Sequence, residues 1–252
     1  MTEARIFLFE QLVRRDFLKK YRRTFLGVAW SMLSPLLTFF VMRLVFTGFF
    51  GRNTPHYTIY LFAGNIVMEY FREATKSGMG CLLENASILS RVNVPKHFFL
   101  LSKNASSLLN FLLTLLVFLV FCVADGVPLS LRFLRLLYPI ACLLALNIGV
   151  GMILSALLVF FRDIRYLYDI FLTLLTYLSA IFYRVDSFSP RVQRLFLLNP
   201  VYCIIKYFRV TVIDRQLPSP EYHLLIAGYA VLFVLAGHLI YRRFNHRFVY
   251  YF

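Results

Sequence analysis

A chain of 252 residues that is 60% hydrophobic and 18% aromatic, with a mean hydropathy of +0.71, exceeds the apolar share of roughly 45–50% found in soluble domains. Its 27 basic residues outnumber 12 acidic ones, for a net charge of +15. The cations sit between apolar runs and cover no soluble face, which excludes a nucleic-acid-binding domain and leaves a membrane protein.

The first segment, TEARIFLFEQLVRRDFLKK, has no uncharged core and no small-residue cleavage site, so it does not read as a secretory signal. Ile6, Phe9, Val13 and Phe17 fall at helical spacing, which predicts an interfacial helix over residues 1–23 lying on the membrane. KKYRR follows at 19–23, and no further charge occurs until Arg43. This basic cluster anchors the first span, with Trp30 near the interface where indoles gather.

A crossing needs about 20 mainly apolar residues. Six segments qualify, at about 25–50, from 57 to about 71, then 105–124, 136–161, 166–183 and 224–241. The predicted fold is therefore an all-α membrane protein with six transmembrane helices in a single permease domain over 1–252. An even count puts both termini on one side. Most of the Lys and Arg fall in the segments on that side, so the termini are predicted to be cytoplasmic.

Within the second span, EYFREATK places Glu69, Arg72, Glu73 and Lys76 within an arc of about 100° on a helix. Ionisable groups at such depth face a bundle interior or water. They read either as the polar wall of a translocation path and its inner gate, or as a self-neutralising ladder at headgroup level. The next connection, GCLLENASILSRVNVPKHFFLLSKN, has an apolar centre at Ile88 and Leu89, then Arg91 and a breaker at Pro95. It reads as a handle for another protein, or as an interfacial re-entry held by Arg91, Lys96 and Lys103.

In the fourth span Asn147, Gly149 and Gly151 read as close helix packing. Residues 184–222 are too many for a hairpin and too apolar for a solvated loop. Pro190 and Pro200 are placed to start two short helices, a re-entrant outer pair between spans five and six. Of the 28 Phe and 16 Tyr, most must face lipid or pack between helices, and some could stack on sugar rings. Cys81, Cys122, Cys142 and Cys203 form no CxxC pair, so neither a metal site nor a disulfide framework is expected. No phosphate-cradling GxxxxGK[ST] occurs, and no HExxH or GxSxG marks a membrane enzyme.

Four local patterns carry a resemblance. RRDFLKKYRRTFLGVAWSMLSPLL has a basic tail and then Leu26, Gly27, Trp30 and Pro35; ENASILSRVNVPKHFFLLS carries Asn85, Ala86, Ile88, Val92 and Pro95; FFRDIRYL carries Arg162, Asp163 and Ile164; and the outer helix pair has a Leu198-Asn199-Pro200 hinge. In this order and spacing the chain resembles the ABC-2 type permeases that export polysaccharides, including O-antigen, capsule and teichoic-acid exporters.

The resemblance implies half a transporter. A second copy would complete the pore, and two copies of a separate ABC ATPase subunit would bind the ATP and Mg, leaving this chain without a cofactor of its own. Residues 84–97 would be the coupling segment seated on that ATPase, through Ile88, Leu89, Arg91, Val92, Pro95 and Lys96. The N-terminal helix would gate the inner mouth, with Arg14, Arg15, Lys19, Lys20, Arg22 and Arg23 meeting the pyrophosphate of a lipid-linked glycan. The remaining readings are an ABC-2 exporter of a drug or lipid, a membrane enzyme acting on lipid-linked sugars through Glu69, Glu73 or Asp163, and a channel. No nucleic-acid partner is expected.

Overall fold

Long runs of Leu, Phe, Val and Ala with few breakers leave the backbone one means of satisfying its polar groups in lipid, the helix. The computed structural model describes residues 3–21, 27–50, 56–91, 94–128, 130–244 and 247–251, and every regular element among them is helical. In chain order the α-helices are α1 (Glu3–Tyr21), α2 (Trp30–Phe50), α3 (Tyr57–Glu84), α4 (Ala86–Leu89), α5 (His97–Ala124), α6 (Leu137–Phe160), α7 (Ile164–Leu178), α8 (Pro190–Phe196), α9 (Pro200–Val212) and α10 (Pro220–Phe244). A 3₁₀ segment, Leu131–Leu136, leads into α6, and another, Arg247–Tyr251, follows α10.

Among the described residues three helices are long and apolar enough to cross a membrane: His97–Ala124, the continuous Leu131–Phe160 and Pro220–Phe244. A fourth crossing arises if α8 and α9, bent by 105° at their junction, are taken as one. Helix α3 has 28 residues and runs well past Phe71, so the EYFREATK stretch lies in its middle and not at its end. Helix α7 has only 15 residues, stopping at Leu178 where the sequence pattern runs on to Tyr183.

Helix α3 is the hub, packed against α5 and α6 along its length and against α9 and α2 at its margins. Glycines allow the closest approaches. A Cβ on Gly78 of α3 would lie 3.4 Å from the Cα of Gly151 on α6, and one on Gly149, on another face of α6, would lie 2.4 Å from the backbone of Phe233 on α10. The predicted close packing at Gly149 and Gly151 is what is found, and it draws α6 between its two neighbours.

The early stop of α7 exposes carbonyls that a bilayer could not satisfy. Ala180 follows in a left-handed conformation, φ 49°. Side chains from three directions then cover the run of oxygens. Tyr183 Oη donates to Tyr177 O at 2.8 Å and Asn199 Nδ2 to Leu178 O at 3.2 Å. Arg209 donates to Ala180 O at 2.9 Å and Ile181 O at 3.0 Å, Tyr57 Oη to Phe182 O at 2.8 Å, and Tyr60 Oη to Tyr183 O at 2.6 Å. Arg209 is itself buried, stacked 3.4 Å above the Tyr60 ring and bonded to Tyr60 O. Asn199 also caps α9, accepting from Val201 N at 3.0 Å and Tyr202 N at 3.3 Å. Both short helices begin at their prolines, as the sequence pattern predicts.

The face of α1 differs from the predicted stripe. Leu12 and Asp16 are the buried positions, with Leu8 packed beside them, whereas Ile6 is 45% exposed and Phe9, Val13 and Phe17 are half-buried. The helix is rotated because it packs on α5, with the Phe9 and Phe98 rings 6.5 Å apart. An acidic side chain turned to that face is held by polar partners, which periodicity cannot reveal.

Candidate functional site

Because α3 is surrounded, most of its side chains are buried; in its middle one uncovered line carries Asn65, Glu69, Arg72, Glu73 and Lys76, all polar, while Tyr60, Ser77 and Leu83 are half-buried and Glu84 is exposed elsewhere on the helix. The outward faces of its neighbours are apolar instead, with Leu112, Leu116 and Val120 exposed on α5 and Val231, Leu235 and Leu239 on α10. A cleft of about 480 Å³ opens along Asn65, Glu69 and Glu73 of the line, walled by Trp30, Ser34 and Thr38 of α2, Tyr70 of α3 and Asn110 and Thr114 of α5; Arg72 and Lys76 lie outside its lining.

The four charged residues predicted for the inner gate lie together on this line but reach to different helices. Glu73 accepts from Asn110 Nδ2 at 2.7 Å and pairs with Lys20 of α1 at 3.0 Å. Lys76 pairs with Asp169 of α7 at 2.8 Å, and Arg72 Nη2 donates to Thr176 Oγ1 of α7 at 2.9 Å. The one contact within the line is long, Arg72 Nε to Glu69 Oε2 at 3.9 Å. The ladder within the helix is thus mostly replaced by bonds that moor α1 and α7 to the hub. Tyr168 adds a buried mooring, donating to Thr75 Oγ1 at 2.6 Å.

Beyond Glu84 the chain turns into α4. Asn85 is buried and its Nδ2 donates to Cys81 O at 2.8 Å, fixing the direction of departure. Leu89 points inward and is buried, while Ile88 and Arg91 are exposed; Pro95 and Lys96 are half-buried, and Val92 lies outside the described residues. Of the predicted coupling residues, then, Leu89 anchors the segment and Ile88 and Arg91 face outward. The Lys96 ammonium lies 5.9 Å over the Phe248 ring, and burial pushes its pKa down by disfavouring the charged form.

Leu89 shares one apolar cluster with Leu12 of α1, Leu82 of α3, Phe99 of α5, Tyr241 of α10 and Phe248 of the last 3₁₀ segment. A polar network runs beside it. Asp16 accepts from Ser102 Oγ at 3.0 Å, pairs with Arg15 at 2.9 Å and faces Lys103 Nζ at 3.6 Å. Lys103 reaches Glu84, the residue before the turn, at 2.9 Å. The sequence pattern marks Lys103 as an anchor of this connection and Glu84 as the start of the coupling segment, but it does not single out Asp16 and Phe248; the one hint for Asp16 is that it interrupts a basic run, RRDFLKK. Of the predicted N-terminal cations, Arg14, Arg15, Lys19 and Lys20 are exposed, and Arg22 and Arg23 lie outside the described residues. Among the described residues no group of three or more His, Cys, Asp or Glu is placed to hold a metal ion.

The family profile described as ABC-2 type transporter matches residues 8–213. The chain is similar to the O-antigen export system permease protein RfbA of Myxococcus xanthus, 26% identical over 238 residues, covering 93% of this chain and 91% of the relative. It is likewise 26% identical over 246 residues to an RfbA of Klebsiella pneumoniae, covering 96% and 95%. To the capsule polysaccharide export inner-membrane protein CtrC of Neisseria meningitidis serogroup B it is 23% identical over 233 residues, covering 89% and 87%.

Proposed function

The chain belongs to the ABC-2 type transporter family, and on that premise we propose that it is the membrane subunit of an ATP-driven exporter of lipid-linked polysaccharide, of O-antigen, capsule or teichoic-acid type, in the cytoplasmic membrane. The roles named for its relatives support the cargo class. One observation carries the reading as a conduit: the middle of the central helix leaves a polar and charged face uncovered, whereas the outward faces of α5 and α10 are apolar. Charge is costly against lipid, so this face belongs against water or protein.

In this reading residues 1–252 form one permease domain, and α2, α3, α5, α6, α7 and α10 make six crossings. Helices α8 and α9 dip into the outer leaflet and return, and both termini are cytoplasmic. The 15 residues of α7 span about 22 Å, which suffices where the bilayer thins. A second copy closes the conduit. Each copy docks one ATPase subunit through Ile88 and Arg91, with Val92, Pro95 and Lys96 extending the contact, and that partner binds ATP and Mg.

Closure of the ATPase pair pushes this segment, and a rigid-body shift of the bundles opens the path, provided the bound partner favours one state. The cluster around Leu89 and the Asp16–Lys103–Glu84 network pass the push to α1 and α3. Glu69, Arg72, Glu73 and Lys76 supply polar contacts at the inner gate. Arg14, Arg15, Lys19, Lys20, Arg22 and Arg23 meet the glycan's pyrophosphate by charge-assisted hydrogen bonds.

The test replaces Glu69 and Arg72 together by Leu. Surface glycan is expected to fall at least about tenfold, the equivalent of 1.4 kcal/mol at the limiting step, while the complex with the ATPase still purifies intact. Loss of assembly would instead assign these residues a purely structural role, and normal export would remove them from the path.

A further inference from the structure

At the end of α5 remote from α4, the 3₁₀ segment Leu131–Leu136 sorts its side chains by threes, because a 3₁₀ helix has three residues per turn and stacks positions i and i+3. Phe133 and Leu136 turn toward the bundle, half-buried and buried. Leu131 and Leu134 stay 85% and 62% exposed, and Leu137 continues their row. Arg132 and Arg135 form the third row, both exposed. Among the described residues neither has a carboxylate within ion-pair distance. Arg132 instead donates to the carbonyl of Arg215 at 3.4 Å, which brings the backbone of a third basic residue alongside.

Beside these rows lies a groove of about 630 Å³, walled by Leu115 and Leu119 of α5 and by Phe133, Leu134, Leu137 and Ile140. An apolar trough walled by the rows that flank Arg132 and Arg135, neither of which meets a carboxylate among the described residues, suits an amphiphile with an acyl chain and an anionic head. Guanidinium also binds phosphate oxygens in a planar, bidentate fashion that a neutral head group does not reward. The orienting effect of basic residues does not explain Arg132 and Arg135, since they lie at the far end of α5 from α4 and the N-terminal cations.

We propose that this groove is a binding site for an anionic glycerophospholipid of the bilayer, its acyl chain between α5 and α6 and its phosphate on Arg132 and Arg135. The site goes beyond the transport reading and requires only that the chain be embedded in a membrane. It would fix the junction of α5 and α6, which otherwise meets lipid through an irregular 3₁₀ turn.

The chain's sole tryptophan, Trp30, allows a direct test. In a Trp30→Phe background, Leu134→Trp places a fluorophore on the groove, with Leu131→Trp as the substitute should the first fail to fold. The full-length protein is placed in bilayers containing brominated phosphatidylglycerol or brominated phosphatidylcholine, and quenching is titrated. Phosphatidylglycerol is expected to bind more tightly by about fivefold per arginine, and Arg132→Gln with Arg135→Gln is expected to abolish the preference. Equal quenching by the two lipids, a preference that survives the double Gln variant, or no quenching by either, as when protein covers the groove, would each overturn the proposal.

Discussion

Alanine at Gly149 should loosen the bundle, whereas alanine at Gly228 should not. A Cβ at Gly149 would lie 2.4 Å from Phe233 C, 2.5 Å from Val234 N and 2.6 Å from Phe233 O, all backbone atoms that cannot swing aside. Carbon contacts are comfortable at about 3.5–4.0 Å, so α6 and α10 must part by roughly 1 Å. Such overpacking costs about 1–3 kcal/mol. At Gly228, on the same α10, nothing beyond the helix's own neighbouring backbone lies within 4 Å of the added Cβ, and alanine gains helix propensity of about 0.5–1 kcal/mol.

The four cysteines are all buried, which supplies the readout: a thiol-reactive fluorophore added during a thermal ramp reports their exposure on unfolding. With about 2–4 °C per kcal/mol for a chain of this size, Gly149→Ala should lower the midpoint by about 2–12 °C and Gly228→Ala should hold or raise it. Shifts of the same sign in both variants, or a Gly149→Ala midpoint within about 1 °C of the parent, would refute the close approach of α6 and α10.

Two further outcomes concern the α4 end. Arg91→Glu and Pro95→Asp should uncouple the ATPase from export, lowering surface glycan while the chain still reaches the membrane; normal ATPase binding and export in both would remove this segment from the interface. Lys103→Met deprives Asp16 and Glu84 of their shared cation, but Arg15 and Ser102 still meet Asp16. The loss should therefore fall below the 3–5 kcal/mol of a fully broken buried pair, at about 1–3 kcal/mol, and limited proteolysis should release α1 faster. Unchanged cleavage would show that α1 is held by its apolar face alone.

What the sequence made legible is what local chemistry determines. Pro190 and Pro200 start α8 and α9 because a proline at the first turn loses no hydrogen bond there, and the Asn before Pro200 caps the second of them. The apolar runs mark α5, α6 and α10, and Glu69 and Glu73 of the charged stretch of α3 mark one wall of the cleft. The rest depends on residues far apart in the chain. Arg209 holds Ala180 and Ile181, Asp16 meets Ser102 and Lys103, and Phe248 enters a cluster with Leu12 and Leu89. No periodicity announces such pairs. Read alone, Arg209 is one more cation in an amphipathic helix, and Asp16 is an interruption in a basic tail.

The central claim is that this chain is half of a conduit driven by a separate ATPase. It is tested most directly by reconstituting the purified chain in proteoliposomes with lipid-linked glycan, alone and with its co-purifying ATPase, and measuring ATP-dependent movement of the glycan across the bilayer. The account predicts movement only when the ATPase and ATP are both present, with two copies of this chain per active complex. Movement or chemical turnover of the glycan by the chain alone, as a monomer, would contradict it.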